Sequence, residues 1–245
     1  MDTKLLYLDE VYLPECTAKV VLANKNGNSK KAGTEIVLDR TIMHPHTKDG
    51  GDKGTIDGSD GKLIVKKVLK NPGNGKVFHI GKMIGDLRPG DDVLIKIDWD
   101  IRYVHMRKHD MFHLLYSCAR SIVGEDFLAL SKISTGTSYS DWLDVPEKYE
   151  SLVSEAASMA NEIVLEKRPI AIETLPREIA LKVCGNLFEK IIPQSANVLR
   201  LVTIQGFKPD PCIGLHVNST DEIGPFKIVR IEKQESNLRI YADLV

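Results

Sequence analysis

Two short segments carry residue types that bind metal ions. The first is Arg107-Lys108-His109-Asp110-Met111-Phe112-His113. On a helix, His109 and His113 stand at i and i+4, so both imidazoles leave one face about 6 Å apart. That spacing suits two nitrogen ligands on one zinc ion. His105 lies one turn earlier on the same stripe, as a supporting donor or as a packed core histidine. The second segment is Cys212-Ile213-Gly214-Leu215-His216, preceded by Asp210-Pro211, and reads as a loop or a helix start. Together the segments offer one thiolate and several imidazoles, a donor set of zinc-like character. An HxxxH pair alone also fits a packing or surface role, and a CxxxH carries less. The metal reading gains from the second pair lying where a sheet returns to the helix.

The elements that must position these residues can be read from the pattern. Residues 1–98 read as β. Apolar runs at 4–8, 18–22, 35–38, 63–65, 76–80 and 92–97 are separated by turn chemistry at 24–28, 72–75 and 88–91. Many short strands at that spacing predict a small barrel. After Trp99 the period becomes helical, with Val104, Phe112, Leu115, Cys118, Ala119 and Ile122 on one stripe and Gly124 as the stop. Residues 131–143 read as strand and loop. Asp144-Val145-Pro146-Glu147 has the form of a capping box with Pro in the first turn. An amphipathic helix follows from Tyr149 to Val164 and ends at Lys167-Arg168-Pro169. A strand at 170–172 and a helix from Pro176 come next. Strands at 198–204, 226–231 and 238–242 are expected to complete one antiparallel sheet. The fold class is therefore α+β: a small N-terminal β-barrel domain over 1–98, then a two-layer α/β domain with an antiparallel sheet over 99–245.

Composition narrows the function classes. The chain has 245 residues, is 42% hydrophobic and 27% charged, and carries a formal net charge of −1. These are the proportions of a globular protein with a real core. No apolar run approaches the ~20 residues a membrane-spanning helix needs, and Met1-Asp2-Thr3-Lys4 lacks a secretory pattern. A cytoplasmic location and no membrane partner are expected. Residues 1–96 hold 16 basic and 13 acidic side chains, against 17 and 21 in 97–245. Within 62–82, Lys62, Lys66, Lys67, Lys70, Lys76 and Lys82 stand without a single Asp or Glu. Such a stripe can track a phosphate backbone, or be a solvated hairpin face. The four cysteines (Cys16, Cys118, Cys184, Cys212) are far apart with no CxxC, so no disulfide framework is expected, and all but Cys212 read as small buried hydrophobes.

Several segments, taken in order, resemble one known family. Thr3-Lys4-Leu5-Leu6-Tyr7-Leu8-Asp9 is similar to its opening strand, and Val37-Leu38-Asp39-Arg40-Thr41-Ile42-Met43-His44-Pro45 to its vLDrTxFyP segment. Gly51-Asp52-Lys53-Gly54 follows its D-x-G turn, and Gly90-Asp91-Asp92-Val93 with Ile97-Asp98-Trp99 its domain junction. Met106-Arg107-Lys108-His109 through His113-Leu114-Leu115 resembles its MRxHTAxHLL helix. Cys212 through Gly224-Pro225-Phe226-Lys227-Ile228 resembles its CGGTHVxxTxEIGpfKI signature. The family is that of the alanyl-tRNA editing proteins, AlaX, in their medium-length form, related to the editing domain of alanyl-tRNA synthetase.

The resemblance implies an aminoacyl-tRNA hydrolase in the service of translation fidelity. It implies that the enzyme deacylates tRNA(Ala) carrying the wrong amino acid, chiefly serine and also glycine, by ester hydrolysis without ATP. It implies zinc at the positions matching His109, His113, Cys212 and His216. A zinc ion either activates water or positions the 3′ end, since four protein donors fill a tetrahedral set. The departures are informative. Asp110 replaces a Thr and turns the segment into HDxxH, so it reads as a general base or as a partner for the substrate ammonium, with a solvated helix Asp as the plainer reading. The glycine-rich loop is shortened to His46-Thr47-Lys48-Asp49-Gly50-Gly51-Asp52, leaving Gly50, Gly51 and Asp52 as candidate substrate contacts beside a plain surface turn. His44 and His46 belong to that loop. Leu215 removes a hydroxyl next to His216, which bears on amino-acid selection. Arg239 is a candidate backbone contact or a structural residue. Two other readings compete with the deacylase: a zinc peptidase-like hydrolase using HDxxH, and a non-catalytic tRNA-binding module with structural zinc.

Overall fold

The computed structural model describes residues 2–25, 33–48, 50–124, 127–145 and 149–245. The expected turn at 24–28, Asp49 of the shortened loop and the capping box at 144–147 fall wholly or partly outside these residues. The chain divides into two compact units, Met1–Val104 and His105–Val245. The division falls a few residues after the 98/99 boundary read from sequence, inside a helix.

The first unit contains β1 (Lys4–Leu5), β2 (Glu15–Lys25), β3 (Thr34–Leu38), β4 (Arg40–Thr41), β5 (Gly54–Asp57), β6 (Gly61–Lys70), β7 (Val77–Gly85) and β8 (Asp92–Ile97). Six of them close a barrel in the order β2-β3-β7-β6-β5-β8, while β1 and β4 form a separate parallel pair. The opening strand is shorter than expected, because residues 6–8 turn into a single 3₁₀ turn. Alternation supplies the core. Val20, Ile36, Leu38, Ile56, Leu63, Val65, Val77, Val93 and Ile95 point inward. On β6 the register against β7 shifts between Val65 and Lys67. The extra residue moves the inward phase from Leu63 and Val65 to Val68 and leaves Lys66 and Lys67 exposed. A bulge thus reconciles a lysine-rich strand with a dry interior. At Gly81 a β-carbon would stand 1.9 Å from the Ile64 carbonyl oxygen, so only glycine lets β6 and β7 close there.

The helix α1 (Trp99–Val123) begins in the first unit and ends in the second. The Asp98 carboxylate accepts the Ile101 amide at 3.3 Å and caps its start. Gly124, at φ 76°, ends it, with its amide on the Arg120 carbonyl. Near its start Arg102 is buried against Asp52: its Nε donates to Oδ1 at 3.1 Å and its Nη2 donates to Oδ2 and to the Ile42 carbonyl.

The second unit adds β9 (Leu128–Lys132), β10 (Ser138–Leu143), α2 (Tyr149–Leu165), β11 (Ile170–Pro176), α3 (Arg177–Cys184), β12 (Val198–Ile204), β13 (Asp210–Pro211), α4 (Thr220–Ile223), β14 (Phe226–Gln234) and β15 (Asn237–Leu244). One sheet has the order β14-β15-β10-β9 and the other β11-β12-β13, all pairs antiparallel. The single sheet expected from 198–204, 226–231 and 238–242 is therefore two sheets. The physical reason is local: β12 satisfies its edges with β11 and β13, and β14 turns directly back into β15. From 108 to 120 every residue of α1 except His113 is buried, so the helix is wrapped on all sides. Polar anchors fix it to both sheets. Lys108 donates to the Gly136 carbonyl at 2.7 Å and pairs with Asp243 of β15, and Arg120 pairs with Asp210 of β13. Among the described residues no helix is long and apolar enough to cross a membrane.

Candidate metal centre

The helical period that buries Met111, Leu115 and Cys118 also fixes where His109 and His113 point. Their Nε2 atoms stand 3.0 Å apart. The second donor pair reaches them because β13 hands the chain into the loop 212–216. That loop is held by β12: the Cys212 amide donates to the Arg200 carbonyl at 2.9 Å, and the Arg200 guanidinium donates to the carbonyls of Cys212 at 3.0 Å and Gly214 at 2.8 Å. Cys212 Sγ then lies 3.0 Å from His109 Nε2. The His216 ring centroid is 4.8 Å from that of His109 and 5.3 Å from that of His113. One donor atom from each of His109, His113, Cys212 and His216 lies within 4.8 Å of every other. The four residues picked from sequence are one cluster.

The cluster has the chemistry of a metal site. Donor nitrogens on a tetrahedral zinc at ~2.0–2.1 Å stand about 3.3 Å apart, close to the spacing found here. His216 Nε2 is buried without a hydrogen-bond partner, a lone position that in a packed interior calls for a ligand. At Gly214 a β-carbon would stand 2.5 Å from His109 Cε1 and 2.9 Å from its Nε2, so the loop backbone cradles that ring. Burial opposes ionisation of Cys212, yet the imidazoles of His109, His216 and His113 hold its thiol well below the usual range. Burial likewise opposes charge on His113 and His216. It is outweighed at His113 by Cys212 and Asp210, and at His216 by Asp110 and Cys212, so both are raised. The thiolate is the form that binds zinc, whereas His113 and His216, held toward their protonated forms, must give up a proton to the ion on binding.

Carboxylates stand behind two of the imidazoles. Asp110 Oδ1 lies 2.6 Å from His216 Nδ1, and its Oδ2 accepts the Val217 amide at 2.7 Å. Asp210 Oδ2 lies 3.4 Å from His113 Nδ1, while its Oδ1 accepts from Arg120 at 2.6 Å. Asp110, read from sequence as a base or an ammonium partner, is thus wholly buried with both oxygens engaged. Asp210, Arg120, Arg200 and Gly214 were not singled out for these roles. Only Asp210 carried a signal, as an acidic residue two before the candidate cysteine. The clamp by Arg200 joins a strand to a loop and leaves no spacing to read.

The other candidates are placed elsewhere. Arg239 meets Asp141 directly across β15 and β10 in a two-pronged pair, Nε to Oδ1 at 2.7 Å and Nη2 to Oδ2 at 2.9 Å, over the Tyr139 ring. In the first unit, Gly50 forms a tight turn with Thr47, and Gly51 packs against the His46 ring. Asp52 is buried on Arg102 and also accepts the His44 amide. His44 stacks edge-on with Tyr7, and His46 Nδ1 accepts the Val68 amide at 3.2 Å, so both turn inward. His105 is half-buried and outside the donor cluster.

Comparison with known proteins finds similar sequences along the chain. The model of the threonyl and alanyl tRNA synthetase second additional domain matches residues 199–241, which include Cys212 and His216. The chain is similar to the alanyl-tRNA editing protein AlaX-L of Pyrococcus horikoshii, with 32% identity over 95% of this chain and 55% of that protein. It is similar to alanine–tRNA ligase of Sulfurisphaera tokodaii, with 30% identity over 97% of this chain and 26% of the ligase, and of Pyrococcus abyssi, with 32% identity over 95% and 24%. The resemblance to alanyl-tRNA editing proteins thus runs along nearly the whole chain. The chain spans about half the length of AlaX-L and about a quarter of each ligase.

Proposed function

We propose that this protein is a cytoplasmic trans-editing hydrolase that removes a wrong amino acid, serine first and glycine second, from tRNA(Ala) without ATP. The observation that carries the reading is the convergence of His109, His113, Cys212 and His216 in a chain similar over 95% of its length to an alanyl-tRNA editing protein. Zinc fits these donors, and when bound it would supply Lewis acidity toward an ester carbonyl or a water molecule. The chain's own residues prepare the rest. Arg200 and the Gly214 backbone hold the loop against the helix, and the two carboxylates hold His216 and His113 from behind. Exposed Lys66, Lys67, Lys70 and Lys82 on β6 and β7 give the barrel a cationic surface suited to a phosphate backbone.

The peptidase-like reading requires the residue after His109 to act as a base. Asp110 has both oxygens committed within the protein, which argues against it. The test is direct. Zinc-loaded protein is incubated with seryl-, glycyl- and alanyl-tRNA(Ala) and with a peptide library, and metal content is measured alongside. Serine release at a rate well above alanine release is expected, and it falls to background in His109→Ala together with the zinc. Intact seryl-tRNA(Ala) after incubation with zinc-replete protein would overturn the proposal.

A further inference from the structure

Asp110 is a fully buried carboxylate on α1, next in sequence to His109, with one partner on each oxygen. The Val217 amide can only donate, so it fixes Oδ2 as an acceptor. Oδ1 faces His216 Nδ1 at 2.6 Å, and a carboxylate acceptor there requires that Nδ1 carry the proton. The other nitrogen, Nε2, then presents its lone pair, and it is this buried atom that has no hydrogen-bond partner and stands among the donors of His109, His113 and Cys212. We propose that Asp110 is a positioning residue. It locks His216 in the Nδ1–H form and aims Nε2 at the metal position, so that a divalent cation meets a preset ligand. This rests on the metal reading above and goes beyond it, since the residue is a ligand to nothing.

The contrast with His113 shows why Asp110 matters more. Asp210 reaches His113 Nδ1 only at 3.4 Å, and its charge is offset by Arg120 at 2.6 Å. Asp110 makes the shorter contact, and neither of its hydrogen-bond partners is an arginine or a lysine. Helix geometry also favours it. One residue on from His109 the side chain points about 100° further round α1, away from the donors and toward the loop that carries His216. One turn of helix therefore supplies two ligands and the support of a third.

The closing experiment is Asp110→Asn, a change of one atom. Because the Val217 amide claims the side-chain oxygen, the new amide group faces His216 Nδ1 and donates to it, forcing the proton onto Nε2 where a metal must bind. Long-range proton–nitrogen NMR of the metal-free protein at alkaline pH, where imidazole is neutral, is expected to show His216 as Nδ1–H in the wild type and Nε2–H in the variant. Zinc affinity, measured by competition with a chromophoric chelator, is expected to fall roughly 10- to 100-fold. Wild-type zinc binding matched by the variant overturns this proposal alone. A wild type that binds no zinc overturns the metal reading and this proposal with it. Should the variant not fold, the wild-type spectrum decides: an Nε2–H His216 overturns the proposal and an Nδ1–H His216 supports it.

Discussion

Gly214→Ala isolates the packing of a single ligand. Gly214 is not among the glycines at positive φ, so its backbone suits alanine and the whole effect is steric. The added carbon would stand 2.5 Å from His109 Cε1, 2.9 Å from Nε2 and 3.1 Å from Nδ1, where ordinary contact begins near 3.4 Å. The ring must retreat by about 1 Å, twice the ~0.5 Å that a preorganised site tolerates. Forcing one extra methyl into packed surroundings costs about 1–3 kcal/mol. In the metal-free protein the ring can turn aside and escape most of that strain. In the loaded protein it must return, so the cost falls on binding and predicts zinc affinity weakened roughly 5- to 150-fold. Thermal unfolding with and without zinc separates the two cases, because the stabilisation a ligand gives grows with the logarithm of its affinity for the folded state. The metal-free midpoint should move little and the zinc-induced rise should shrink. Gly136→Ala, where the nearest atom to a new β-carbon is 3.9 Å away, is the control and should change neither. A Gly214→Ala protein with wild-type zinc affinity and deacylation would show that His109 does not need the place the loop gives it.

Two further outcomes follow from the first unit. Arg102→Met leaves Asp52 buried without its guanidinium, and loss of one partner of a buried pair costs about 3–5 kcal/mol, read as a lowered urea midpoint; an unchanged midpoint would refute the structural role given to Asp52. Complete burial depresses His79 from 6.5 to about 4, although the Ile36 carbonyl holds its Nδ1. The unfolded chain therefore takes up the proton first: the contribution is fully present above the unfolded value of 6.5 and is lost as pH falls toward the folded value of about 4. Between about pH 7 and about pH 5 the wild type should lose about 2 kcal/mol more than His79→Leu, and parallel pH profiles would refute it.

Spacing in the sequence offered candidate donors, and the resemblance to a known family selected four of them. His109 and His113 announce themselves through the helical period, and Cys212 and His216 through a short loop of matching donor types. The barrel was legible because turn residues punctuate short apolar runs. What could not be read was made by pairing across distance. Strand 198–204 looked like a member of the late sheet, since nothing in its own residues says that its neighbours are 170–176 and 210–211. Asp52 read as a candidate substrate contact, and Arg239 as a backbone contact or a structural residue, because polar residues near a motif resemble function. Each is occupied by an arginine or aspartate that only the fold brings near, Arg102 50 residues away and Asp141 98 residues away.

Asp110 shows how a motif can mislead in the same way. In HExxH sites the acidic residue after the first histidine must reach a water at the metal, which asks for a long side chain and at least one unengaged oxygen. Here the chain is one methylene shorter, and His216 Nδ1 and the Val217 amide occupy its two oxygens at 2.6 and 2.7 Å. Freeing it for proton transfer would leave a buried amide unpaired, at about 1–3 kcal/mol, and would release the imidazole that it orients. The same letters therefore describe a different device. On the proposal above the carboxylate acts on the histidine rather than on the substrate, and the proposed hydrolysis would draw its base from solvent, from the substrate or from another residue. Asp110→Asn separates the two roles: a lost base lowers turnover at full zinc occupancy, whereas a lost support lowers occupancy and lets excess zinc restore turnover.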